Sequence, residues 1–351
     1  MIAGGGTGGH VIPALCVADK LRSRGADIRF IGSNAGIEAT LVPEADYPLY
    51  ALPLAGLSGG LPARARAGLL LLKAVLRCRA ILKKFRPGAV FGVGGYASAP
   101  AVLAAETLKI PTFLHEQNSV PGRVNRFAAR FTREALVTFP GAAERLSHAA
   151  LVGMPTREEF SRTSKEEARE RLGIEPPVVL IFGGSGGALK LNLAAAEAFR
   201  DPTPYSIYQI SGRRDFARLS THNPRHRIVA YENELWYPLA AASVVVTRAG
   251  AGSLFDTAAV GRASVIVPYP YATADHQLHN ARYFTDREAG ELLLDEEVTG
   301  DTIRTRVEAL LEDDARRERF ARNMRALATP EAAAEVAKHL LAATETRGNT
   351  R

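Results

Sequence analysis

The chain has 351 residues, 46% hydrophobic and 23% charged, an ordinary globular composition with room for about two domains of roughly 150 residues each. No apolar run reaches the roughly 18 residues of a membrane-spanning helix, no basic segment leads into an apolar one as in a signal peptide, and Cys16 and Cys78 fit reduced thiols better than a disulfide framework or a metal site. The 44 Lys and Arg against 37 Asp and Glu leave +7, a balance compatible with nucleic acid, an anionic membrane or phosphorylated substrates.

A very short first strand, Met1-Ile2-Ala3, runs into GGGTGGH (4–10), and a helical pattern covers 10–24. A strand over 28–31 follows. The stretch 63–87 holds Arg64, Arg66, Lys73, Arg77, Arg79, Lys83, Lys84 and Arg86 with no acid, and 66–85 has helical spacing, which sets Leu70, Leu71, Ala74, Leu76 and Ile81 beside the basic residues. A strand over 89–92 feeds GVGGYASAP (92–100) and a helix over 97–108. The strand 112–114 leads into HEQNSVPGRVNR (115–126), and another strand spans 135–139. A boundary is expected after a short strand near 151, through Pro155 and a polar helix, to Pro176-Pro177. The pattern then restarts with the strand 178–182, GGSGGA (183–188) and a helix over 187–199. Strands over 206–210, 243–247 and 264–268, RAGAGSLFD (248–256), and helices over 251–260 and 275–286 complete it, with one more helix after Pro330. Strands alternating with helices predict parallel sheets covered on both faces.

Each of the four glycine loops follows a strand and precedes a helix, where open parallel sheets bind ligands. Glycine lets backbone approach a ligand, and free amides at a helix N-terminus suit phosphate. Gly4, Gly6 and Gly9 satisfy G-x-G-x-x-G, yet the second strand is followed by Ser33, Asn34 and Ala35, and Asp27 lies at its wrong end. The acid that a dinucleotide ribose needs is therefore missing from its expected place. No G-K-[ST] follows any loop, so a P-loop is excluded as well. His10 opens the first long helix, whose positive end disfavours imidazolium, so a neutral ring able to take a proton is expected. The plain alternative is a histidine that caps or packs the turn. His115, Glu116, Gln117 and Asn118 are costly together at a strand end unless they face a polar site or build a turn.

GGGTGGHVIPALCVAD, GVGGYASAPAVLAA, HEQNSVPGRVNR, VGMPTR, FGGSGGALKLN and RAGAGSLFDTAAVGRASVIVPYPYATADHQLHNA together resemble the MurG family, in its order and over nearly the whole chain. The resemblance implies an α/β GT-B glycosyltransferase, two Rossmann-like parallel-sheet domains facing across a cleft. Residues 1–156 would serve the acceptor and membrane, with the C-terminal helix 331–351 packing back on them, and 157–330 would bind UDP-GlcNAc. It implies inverting transfer of GlcNAc from UDP-GlcNAc to the MurNAc 4-hydroxyl of undecaprenyl-pyrophosphoryl-MurNAc-pentapeptide, lipid I to lipid II, in peptidoglycan synthesis, with no cofactor or metal. Donor contacts carry over to Thr7, Gly8, Gly9, Asn118, Arg157, Ser185, Gln277 and the loop Ala251 to Asp256, including Gly252, Ser253 and Leu254. His10 and Glu116 match residues proposed for catalysis, with His10 the first choice of base, and Tyr96 matches an acceptor-side residue.

The family usually has Glu where this chain has Asp256, and Gly186 stands where a glutamine is often found. The first strand is several residues shorter than usual, so either the sheet begins frayed or the true start lies upstream. A lipid-linked acceptor gives the basic segment a use, because each Lys or Arg near an anionic leaflet contributes about 1 kcal/mol. Arg64, Arg66, Lys73, Arg77, Lys83 and Lys84 are the expected contacts of a peripheral protein on the cytoplasmic face of the membrane. The implied partners are UDP-GlcNAc, lipid I and the anionic membrane surface, with room for cell-wall and division proteins and none for nucleic acid. The alternatives are another UDP-sugar transferase with a lipid or natural-product acceptor, a UDP-GlcNAc epimerase, and an inactive scaffold of cell-wall assembly.

Overall fold

The computed structural model describes residues 1–53, 61–95, 97–184 and 186–348, apart from the side chains of 61–67 and 345–348. Its contacts divide the chain into two compact units, Met1–Pro155 with Glu331–Arg351, and Thr156–Pro330. The first unit holds strands β1 (Ile2–Ala3), β2 (Phe30–Ser33), β3 (Leu49–Leu52), β4 (Val90–Gly92), β5 (Thr112–Glu116), β6 (Glu134–Val137) and β7 (Ala149–Leu151). Its helices are α1 (Gly8–Arg22), α2 (Glu38–Glu44), α3 (Leu61–Phe85), α4 (Ala99–Thr107), α5 (Arg123–Ala128) and α6 (Pro140–Ala143). The second unit holds α7 (Glu159–Arg162), α8 (Lys165–Leu172), β8 (Val178–Phe182), α9 (Leu189–Ala198), β9 (Ser206–Ile210), β10 (His226–Val229), α10 (Trp236–Ala241) and β11 (Val244–Arg248). It continues with α11 (Ala251–Val260), β12 (Ala263–Val267), α12 (His276–Thr285), β13 (Glu291–Leu292), α13 (Gly300–Glu312) and α14 (Asp314–Ala326), and α15 (Ala332–Gly348) returns to the first unit.

Both sheets are parallel, in the orders β3-β2-β1-β4-β5-β6-β7 and β10-β9-β8-β11-β12-β13. The reason is in the strands: VVLIF, VVVTR and ASVIV are buried at every position. Strands buried on both faces need helical crossovers above and below. Each order reverses beside its first strand, and the glycine loops sit at the carboxyl ends there. The first strand does not fray: Ile2 and Ala3 pair with both β2 and β4 at the centre of the sheet. The edge strands β3 and β10 and the two-residue β13 escape a hydropathy reading, since LYAL and HRIV are partly exposed.

Local signals set the helix ends. Ser164 caps the polar helix α8 by accepting from the Glu167 amide, and Gly173 ends it in the left-handed region. In α15, Ala333, Val336, Ala337, Leu340 and Ala343 recur every three or four residues. They pack into one core with Val11, Ala14, Val17 and Leu21 of α1. His339 Nδ1 lies 2.7 Å from Glu134 Oε2 and ties α15 to β6.

Leu340 is 4% exposed in this core. Leu340→Ala should cost about 2–5 kcal/mol, read from urea denaturation of the intact chain; a loss below about 1 kcal/mol would show that the site collapses freely around α15.

Candidate active site

The first glycine loop is held from beneath. Glu38 is fully buried, and its carboxylate accepts from the Gly6 amide at 2.7 Å and the Ser33 amide at 2.8 Å. Gly5 and Gly36 leave the space that its carboxyl group fills, and a Cβ on Gly32 would stand 2.7 Å from its Cγ. The second strand therefore does have an acid at its carboxyl end, brought back from α2. This corrects the sequence expectation, although the acid is spent on the chain's own amides.

Thr7 precedes α1 and its hydroxyl meets His10 Nδ1 at 2.9 Å. The amides of Gly8 and Gly9 head that helix, with Gly9 and Thr7 exposed. The His10 ring lies against the second glycine loop: a Cβ on Gly94 would stand 3.1 Å from its Cδ2 and Nε2. Gly94 and Gly95 both have positive φ, and a Cβ on Gly95 would come within 2.8 Å of Gly5 O. Burial holds His10 below the ordinary histidine value, and the Glu38 charge pulls the other way. The helix dipole acts in the same sense as burial.

The HEQN cluster is mostly turned inward. His115 is fully buried, donates from Nε2 to Gly153 O at 3.2 Å, and is pushed down to about 4 by burial. Gln117 donates to Val93 O at 2.8 Å. Glu116, at the end of β5, accepts four hydrogen bonds: from the amide and side chain of Asn118, the Gly122 amide, and Asn125 Nδ2. Burial raises its value and those donors lower it. So these residues build the turn 115–125, and Asn118 alone of the four is partly exposed. Of the two readings the sequence left open, the turn is built, and its hydrogen bonds meet part of the cost of burying the cluster, while among the described residues His115 Nδ1 and Gln117 Oε1 have no partner.

In the second unit, Ala251 to Asp256 form the first turns of α11, not a loop. The amide of Leu254 bonds Gly250 O at 3.0 Å and its side chain is fully buried, so the Leu254 side chain packs the core. Ala251, Gly252 and Ser253 carry the leading amides, which have no partner within the helix. Arg248, buried at the end of β11, anchors this turn through Asp295 at 2.6 Å and Pro268 O at 3.2 Å. Arg157 is held by Asn233 O at 3.3 Å and lies over the Trp236 ring. Its charge reaches Asp256, whose carboxyl is nonetheless pushed up to about 7, chiefly by burial. Gln277 Oε1 accepts from the Tyr269 amide at 3.0 Å, which leaves its amino group.

Beneath GGSGGA, Asn192 donates to Ser211 O at 2.8 Å and to Asp215 Oδ2 at 3.1 Å. Asp215 is buried, and a Cβ on Gly187 would stand 2.8 Å from its Oδ2. Tyr96 and Ser185 lie outside the described residues, as do the side chains of Arg64 and Arg66.

On α3 the buried face is Ala74, Cys78 and Leu82, so Ala74 belongs to the core and not to the basic face. Leu69, Leu72 and Leu76 are exposed by 53%, 56% and 59%, with Lys73, Arg77, Lys83 and Lys84 exposed too. Among the described residues no helix is long and apolar enough to cross a membrane. A second patch was missed in the sequence: Phe127 and Phe131 stack edge-on at 5.4 Å, both exposed, among exposed Arg123, Arg126, Arg130 and Arg133. Its signal was available as an acid-free run of arginines carrying two phenylalanines.

The glycosyltransferase family 28 N-terminal domain matches residues 1–137, and the corresponding C-terminal domain matches 178–340. A crystal structure of MurG from Acinetobacter baumannii superposes with a TM-score of 0.77 at 27% identity, covering 97% of this chain and 98% of that one. The calicheamicin glycosyltransferase CalG4 shares the fold at a TM-score of 0.70 and 18% identity, covering 97% of this chain and 96% of its own. Two parallel-sheet units that match both family 28 domains make this chain a GT-B glycosyltransferase. A Rubrobacter xylanophilus protein named UDP-N-acetylglucosamine–N-acetylmuramyl-(pentapeptide) pyrophosphoryl-undecaprenol N-acetylglucosamine transferase is 64% identical over 93% of this chain and 98% of its own length. A Desulforudis audaxviator protein of the same name is 38% identical over 95% of each. The chain belongs to the MurG family.

Asp256 carries a sign that can be checked. Its folded value, about 7, lies above the unfolded value near 3.9, so folding favours the protonated form. Stability is lost as pH rises from the unfolded value through about 7 and is flat above it. Asp256→Asn removes that loss, so its advantage in thermal midpoint should widen from pH 5 to pH 8 by several degrees, at roughly 2–4 °C per kcal/mol. A gap that stays constant between those pH values would contradict the raised value.

Proposed function

We propose that this chain moves GlcNAc from UDP-GlcNAc to the MurNAc 4-hydroxyl of lipid I and so forms lipid II in peptidoglycan synthesis. The observation that carries this is the 64% identity to the Rubrobacter xylanophilus transferase over nearly the full length of both chains.

In the reaction, His10 is the base. With the hydrogen on Nδ1 donated to Thr7 Oγ1, Nε2 takes the proton of the acceptor hydroxyl. That oxygen attacks the anomeric carbon on the face opposite UDP, the bond from that carbon to the diphosphate oxygen breaks, and UDP leaves with the electron pair. One displacement inverts the centre and needs no covalent nucleophile. The lowered value of His10 supports this role, since a base must be unprotonated at working pH. Glu116 fits a positioning role better, because its two oxygens already accept four hydrogen bonds.

Charge growing on the leaving diphosphate is met by the leading amides of α11 at Ala251, Gly252 and Ser253 and by Arg157. Asp256 accepts from the ribose hydroxyls, and Gln277 and Asn118 bond sugar hydroxyls or the acetamido group. Ser185 contributes to the donor site, Thr7, Gly8 and Gly9 offer amides to a diphosphate, and Tyr96 serves the acceptor.

Lipid I is fixed in a membrane, so the enzyme works as a peripheral protein on its cytoplasmic face. The exposed Leu69, Leu72 and Leu76 beside Lys73, Arg77, Lys83 and Lys84 support docking of this helix on an anionic leaflet. Arg64 and Arg66 continue the same basic run.

The test is transfer of labelled GlcNAc from UDP-GlcNAc to a short-chain lipid I analogue. His10→Ala should lower kcat about 10²–10⁴-fold with donor binding retained. Near-normal turnover in that variant would remove His10 as base, and turnover of UDP-GlcNAc without acceptor would favour an epimerase instead.

A further inference from the structure

Glu38 is a buried acid that no step above uses. Three glycines, Gly5, Gly32 and Gly36, have no room for a side chain because Glu38 occupies it. Its two oxygens bond amides at the ends of two different strands, Gly6 after β1 and Ser33 at the end of β2. Gly6 is followed by Thr7, and Thr7 Oγ1 meets His10 Nδ1 at 2.9 Å. Gly6 itself has positive φ and open space where a Cβ would stand, and its amide is tied to Glu38.

We propose that Glu38 is a positioning residue for the transfer: its buried carboxylate fixes the Gly6-Thr7 segment, and through Thr7 it aims the His10 ring at the acceptor hydroxyl. The same carboxylate acts on His10 by charge. The titratable groups whose charge reaches His10 are Glu38 from α2 and His115 from β5. His115 is neutral, pushed down to about 4, so Glu38 supplies the field that keeps His10 basic enough to take a proton. The proposal rests on His10 as base.

The experiment measures kcat, donor KM and the pH dependence of kcat/KM for Glu38→Gln, Glu38→Asp and His10→Ala. Glutamine keeps the size but turns an amino group toward a backbone N–H. In Glu38→Gln, kcat should fall about 10²-fold with donor KM unchanged within about twofold, the mark of an interaction made in the transition state. The acidic limb should move to lower pH, because the charge that raises His10 is gone. Glu38→Asp reaches one amide but not both and should fall between Glu38→Gln and wild type. If Glu38→Gln does not fold, Gly36→Ala displaces the carboxyl group without removing it and should reproduce the kcat loss. Wild-type kcat and an unmoved acidic limb in Glu38→Gln, with His10→Ala inactive, would overturn the positioning role alone. An active His10→Ala would overturn the base on which it rests.

Discussion

A carboxylate taken out of water costs several kcal/mol unless hydrogen-bond donors surround it. At three places this chain meets that requirement from its own backbone and side chains. Glu38 takes the amides of Gly6 and Ser33. Glu116 takes those of Asn118 and Gly122 together with Asn125. Asp215 takes Asn192 under the glycine loop of the second unit. Glu38 ties together the ends of β1 and β2, Glu116 closes the turn that follows β5, and Asp215 joins the segment after β9 to α9. The loops at these strand ends are thereby fixed by buried acids.

The glycines follow from the same constraint. Gly5, Gly32 and Gly36 are small because Glu38 fills their side-chain space, and Gly187 is small because Asp215 does. Gly94 and Gly95 are small for a different reason: the His10 ring and the Gly5 carbonyl approach them. A glycine-rich loop in this protein therefore records close packing as much as ligand approach. His10 ends up between two such loops, half-buried, its value lowered by burial, and held at Nδ1. That is the state a base needs at neutral pH.

The architecture was legible because buried parallel strands such as VVLIF and SVVVT carry unbroken apolar runs, each followed by glycines and a helix. Edge strands were not, because HRIV and LYAL mix exposed and buried positions. At the candidate site, His10 was singled out by its place after the first glycine loop, and Arg157 and Asp256 by the family resemblance. Glu38 was missed because a glutamate in the first turn of a short helix looks like a solvated acid; only the fold brings it back to β2. For HEQN the sequence left a polar site and a turn open, since it gives four polar residues and not the backbone groups that His115, Glu116 and Gln117 bond. The α3 pattern fixed the helix but not its rotation in full: Leu76 is exposed beside the basic residues as expected, whereas Ala74 is buried.

The central claim is that the His10 ring is a desolvated, neutral base seated between two glycine loops. The most direct measurement is a titration of the His10 ring by NMR in the full-length protein, assigned with His10→Gln. A titration midpoint below the ordinary histidine value of about 6.5 is the predicted result. A midpoint at or above that value would contradict the account.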